Sequence, residues 1–223
     1  MKERDLFTGP RIPSEKFKEN KMRYMLPSIL LGTAALFLLI SIFFPYWQLT
    51  LLAPQYPGGL KVELYVNHVE GDVQEIDGLN HYIGMRPLEE AAPLERTLSI
   101  VLIVVIALLT LSAIYIHSPI ALFLSIPAFG YPLIFLGDLY FWMWNFGTNL
   151  DPRAPLSSSV KPFVPPLLGE GKVGQFKTVA SWDIGLYLSI IASILIVIGL
   201  YYHRKVYKPL MEAHMAQQEE QTN

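Results

Sequence analysis

The sequence predicts an all-α membrane protein: four transmembrane helices carrying a small α/β cap outside the cytoplasm. Of its 223 residues 52% are hydrophobic and only 16% are charged, with a mean hydropathy of +0.35, too apolar for a soluble domain of this length. The apolarity is concentrated in four windows, residues 26–44, 98–116, 120–141 and 184–202. Rising about 1.5 Å per residue, a helix of that length crosses about 30 Å of hydrocarbon. Between the windows lie two long polar inserts, residues 45–97 and 142–183, the first of which carries the periodicities of folded elements.

The leader, residues 1–25, is basic and longer than a signal-peptide n-region, and no A-x-A site follows the first apolar run, so that run is expected to stay as an uncleaved span. Lysine and arginine then set the orientation. The leader holds Lys2, Arg4, Arg11, Lys16, Lys18, Lys21 and Arg23, and the tail, residues 203–223, holds Arg204, Lys205 and Lys208. The first insert has only Lys61, Arg86 and Arg96 against eight acids, and the second has Arg153, Lys161, Lys172 and Lys177. The positive-inside bias therefore puts both termini in the cytoplasm and both inserts outside. Tyr46, Trp47, the run from Tyr140 to Trp144 and Trp182 would form an aromatic belt at the outer interface. Residues 117–119, His-Ser-Pro, make a tight cytoplasmic turn with proline at a first helical position.

Span three contains Pro127, Gly130 and Pro132 and is expected to kink. It also holds Asp138, about one turn from the outer interface, where a carboxylate can reach water or cap polar neighbours, or else relay protons.

In the first insert Tyr56-Pro57-Gly58-Gly59 reads as a turn. Residues 60–67 alternate and place Val62, Leu64 and Val66 on one face of a strand. Asp72 and Glu75 have the spacing of a capping box. Val73, Ile76, Leu79, Tyr82 and Ile83 then recur at helical spacing, and Gly84 supplies a left-handed stop. The second insert is rich in proline and glycine and reads as extended, polyproline-like chain that packs on the first insert or on a partner. The polar tail reads as a short, frayed helix at most.

The candidate site lies in LNHYIGM, residues 79–85. His81 ends the helix, Met85 follows the stop, and Asp77 sits one turn behind His81, placed to orient the imidazole. Imidazole with thioether is a donor set that favours copper, Cu(I) in particular. His68 offers a third ligand, and Met143, at the top of span three, a more distant one. The plainer reading stays open: histidine suits a helix C-terminus and methionine fills cores. The acids of this insert do not follow the spacing of a calcium loop. A net charge of −2 gives no footprint for nucleic acid. No P-loop, dinucleotide fingerprint, nucleophile elbow or haem-attachment motif occurs, and no paired acid and base points to an enzyme.

The stretches APQYPGGL, EGDVQEIDGLNHYIGMRPLEEAAPLER, NLDPRAPLSSSVKPFVPPLLGEG and QFKT resemble a group of bacterial four-span membrane proteins associated with assembly loci for copper enzymes, nitrous oxide reductase in particular. That resemblance implies a multi-pass protein of the bacterial inner membrane in which His81 and Met85 carry the motif. Two expectations follow. One is a non-enzymatic accessory that holds copper outside the membrane and passes it to a respiratory enzyme. The other is a structural or assembly subunit of a membrane respiratory complex, bound to the bilayer and to a protein partner, with no metal of its own.

Overall fold

The computed structural model describes residues 17–18, 20–117, 120–173 and 176–222. The basic leader through residue 16 and Ser118-Pro119 of the expected cytoplasmic turn lie outside the described residues. In chain order the elements are α1 (Lys21–Ser41), β1 (Trp47–Ala53), β2 (Tyr56–Leu64), β3 (Val69–Gly71), α2 (Val73–Ile83), a 3-10 turn (Leu88–Glu90), α3 (Pro93–Ser112), α4 (Ile120–Thr148), β4 (Gly169–Val173), β5 (Phe176–Trp182) and α5 (Ile184–Thr222). Helices α1, α3, α4 and the first part of α5 (Ile184–Leu210) are long and apolar enough to cross a membrane. They match the four expected windows with shifted ends. Leu108, Phe123, Leu133 and Ile194 are each more than half exposed, a surface that fits lipid far better than water.

The chain divides into two compact units. In the first, residues 1–39, 103–131 and 189–223, small residues are buried on each helix: Ala34 and Ala35 on α1, Ala107 on α3, Ala121 and Ala128 on α4, Ala192 on α5. Small side chains let helix backbones approach where no hydrophobic effect drives them together. Ser193 on α5 donates to the Ala128 carbonyl of α4 at 3.2 Å as well as to its own helix at Ser189, 3.0 Å. The buried hydroxyls of Thr110 and Ser125 are satisfied by carbonyls one turn back.

The second unit, residues 40–102 and 132–188, holds a five-stranded antiparallel sheet in the order β3-β2-β1-β5-β4. The central strand β1 pairs with β2 of its own insert and with β5 of the other, so Trp47 lies between Leu64 and Trp182. The second insert therefore ends in two strands, where extended polyproline-like chain was expected. Strand β5 escapes notice because its buried positions are the small Thr178 and Ala180, while Val179 between them is less buried. The alternation exists in burial but hardly in hydrophobicity. Val62 is buried on β2 as expected, with Leu60 two residues before it.

Other expectations are corrected. Tyr56 to Gly59 belong to β2, and the hairpin turns at Pro54 and Gln55. The register slips between Leu51 and Ala53, and a bulge at Gly59, φ +74°, takes up the extra residues. Pro57 is accommodated because β3 pairs only with Val62 to Leu64, leaving that end of β2 on an edge. Asp72 holds the N-cap position of α2, its carbonyl accepting the Ile76 amide at 3.1 Å, but its side chain makes no capping bond; Oδ2 accepts the Lys61 amide at 2.8 Å, prolonging the strand contact instead. Tyr46 and Trp47 are not belt residues, since both are buried in protein. Tyr140, Phe141 and Trp144 remain exposed. Pro127, Gly130 and Pro132 lie inside the one helix α4, where the expected kink would fall. The expected frayed tail continues α5 as helix past Pro209, in a stretch of Met, Glu, Ala and Gln with high helix propensity.

Candidate functional site

Helix α2 lays Ile76 on a cluster of Leu51, Ala53, Leu60 and Val62 from β1 and β2. Its end is a Schellman turn: Gly84 takes φ +81°, its amide donates to His81 O at 3.3 Å, and the Met85 amide donates to Asn80 O at 2.9 Å. The turn throws Met85 inward, where it packs with Ile83, Phe146 and Val173.

The second insert docks onto this same turn. The Asp151 amide donates to the Gly84 carbonyl at 2.8 Å and the Leu156 amide to the Tyr82 carbonyl at 2.9 Å. Arg86 completes the joint, its guanidinium donating to Asn145 Oδ1 and lying 4.7 Å from the centre of the Phe146 ring. LNHYIGM is thus the seat that holds the start of the second insert and the end of α4.

The expected ligands are each placed by this packing. His81 is exposed at the end of α2 and lies edge-on to Tyr82. Met85 is buried, 8% exposed. Asp77 Oδ1 accepts the Leu88 amide at 2.8 Å and Asn80 Nδ2 at 3.4 Å, so it caps the 3-10 turn and is not spent on His81. His68 stacks on Tyr65, centroids 4.4 Å apart, with Nδ1 on Asn67 Oδ1 at 2.8 Å and Nε2 on Glu70 Oε1 at 2.9 Å. Met143 packs beside Trp47, Leu139 and Ala180. Among the described residues no three His, Cys, Asp or Glu side chains gather in the manner of a metal cage. Next to His81, Asp151 is exposed, and hydrogen bonds from Arg153 hold its carboxyl below the usual carboxylate range. Asp138 is half-buried on α4, four residues before Trp142.

One constellation was not singled out in the sequence. His117 Nδ1 and His203 Nε2 are 3.2 Å apart. Burial, with His203 beside it, pushes the His117 imidazole down to about 4. The two histidines are 86 positions apart in the chain, so no local spacing could announce the pair.

Compared with known proteins, the chain matches no family model, no curated protein and no solved structure.

Proposed function

We propose that the protein is a non-enzymatic accessory or assembly subunit of a bacterial inner-membrane respiratory system, whose extracytoplasmic cap is a docking platform for a protein partner. The observation that carries this reading is the use made of LNHYIGM. Met85 is buried, Asp77 caps the Leu88 amide and both His68 nitrogens are bonded within the cap. The side chains with the most chemistry on offer serve the fold, which suits a rigid platform better than a reaction centre. A sheet stitched from two inserts, with α1 and α5 leading into and out of its central strands, supports the same reading. Purification of the intact protein from its native membrane under mild detergent tests it. A stoichiometric protein partner lost on Gly84→Ala substitution is expected; a protein that stays alone under all conditions contradicts the reading.

A second reading is copper handling at His81. It is favoured by the exposed position of that ring at a helix end, beside the exposed carboxylate of Asp151. Met85 would have to leave its apolar cluster to join it, which makes this a site formed on binding. Copper titration of wild type, His81→Ala and Met85→Ala decides: equal stoichiometry and affinity in all three remove the reading.

A further inference from the structure

His117 and His203 belong to one compact unit, that of residues 1–39, 103–131 and 189–223. Helix α3 ends at Ser112, the chain turns through residues 113–115, and His117 follows in irregular chain. His203 and Tyr207 come from α5, four residues apart and so on one helix face. The Tyr207 ring lies flat on the His117 ring, centroids 3.7 Å apart with 7° between planes, and tilted against His203 at 4.6 Å. His203 and Tyr207 are buried, 5% and 7% exposed. Three rings packed this way leave the imidazoles little rotational freedom.

The spacing of the nitrogens carries the argument. Two imidazole nitrogens on one tetrahedral ion, each about 2.0–2.1 Å from the metal, lie about 3.3 Å apart. Across a linear two-coordinate ion they would lie about 4 Å apart at the same bond lengths. The observed separation of 3.2 Å fits the first geometry.

We propose that His117 and His203 form a two-imidazole site for a borderline divalent transition-metal ion of the zinc class, with Tyr207 as the positioning residue that holds the His117 ring. Two protein ligands leave the remaining coordination positions to water or to a ligand from another molecule, which makes the site labile and suited to exchange. Without metal, one ring donates its N–H to the other. Binding requires the donating ring to carry its proton on its other nitrogen, a change of tautomer with no net proton released from two neutral rings. The bound ion would tie the segment after α3 to α5. The site uses none of residues 77–86 and so stands or falls separately from either reading of the cap.

The test is a titration of the full chain, purified in detergent without a polyhistidine tag, with Co2+ followed by its visible absorption and then displaced by Zn2+. One ion per chain is expected. Its affinity should fall at least tenfold in His117→Gln and in His203→Gln, and remain unchanged in His81→Ala. Tyr207→Leu should weaken binding and alter the Co2+ spectrum while leaving both ligands in place. Zn2+ should raise the Tm of wild type and not of His203→Gln. Absence of a saturable ion in wild type overturns the proposal whatever the variants do, because the pair is then a hydrogen bond only; an ion retained at full affinity in both single variants also overturns it.

Discussion

The Asp151 amide donates to the Gly84 carbonyl at 2.8 Å, so the turn that ends α2 is also the place where the second insert is received. A Cβ on Gly84 would lie 2.6 Å from Asp151 O and 2.8 Å from Asp151 N, at a φ of +81°. Gly84→Ala therefore faces both backbone strain and a clash with backbone that cannot swing aside, a cost on the order of 1–3 kcal/mol. The contrast is Gly78→Ala: that position is helical and has nothing within 4 Å, so the change should stabilise by about 0.5–1 kcal/mol. Thermal unfolding of both variants in detergent, followed by tryptophan fluorescence, should show Tm moving in opposite directions.

Met85 and His81, only four residues apart, should respond very differently to truncation. Met85→Ala empties a place among Ile83, Phe146 and Val173 and should cost about 2–5 kcal/mol. His81→Ala removes an exposed ring and should stay within about 0.5 kcal/mol. Denaturant midpoints of the two variants check this.

Tyr46 is fully buried, with its hydroxyl on Ser41 Oγ at 2.7 Å, its amide on Leu64 O at 2.7 Å and its carbonyl accepting Asp183 N at 3.0 Å. It thus links the end of α1 to both β2 and the entry of α5. A Cβ on Gly185 would lie 2.4 Å from the Tyr46 ring. Tyr46→Phe should cost about 1 kcal/mol for the lost hydrogen bond. Gly185→Ala should cost more, because the ring has to move. Limited proteolysis rates of the purified variants should rank wild type, Tyr46→Phe and Gly185→Ala from slowest to fastest.

Most of this joint was readable in the sequence and part was not. The span of α2, its stop at Gly84 and the inward face of β2 follow from apolar periodicity and a glycine in the right place. The partner of that stop was hidden, because Asp151 is 67 positions further on and forms its bond through the backbone, which leaves no mark on side-chain pattern. Tyr46 and Trp47 resemble interface aromatics in composition, and only the pairing of β1 with β5 shows that they are enclosed by protein. Asp72 and Glu75 have the spacing of a capping box, yet the Lys61 amide competes for the Asp72 carboxylate and wins it. His117 and His203 are joined by tertiary structure alone.

The His117 imidazole gives a pH dependence with a definite sign. Its pKa falls from 6.5 to about 4 on folding, through burial and then the neighbouring His203. Between those values the unfolded chain binds the proton and the folded one does not, so stability rises with pH across that window. This contribution is fully present above about 6.5 and lost as pH falls through about 4. In metal-free protein, wild type should lose Tm from pH 7 to pH 4.5 more steeply than His117→Gln. Parallel curves would show that His117 is not the group responsible.

The central claim is that both polar inserts meet in one sheet outside the cytoplasm while the end of α5 lies within it. The chain contains no cysteine, so a single introduced thiol reports its own side of the membrane. Glu75→Cys on α2, Lys172→Cys on β4 and Lys205→Cys on α5 all fall at exposed positions. Treated with a membrane-impermeant maleimide on intact spheroplasts, the first two should label fully and Lys205→Cys only after the membrane is opened. Labelling of Lys205→Cys on intact spheroplasts, with Glu75→Cys and Lys172→Cys protected, would contradict the account.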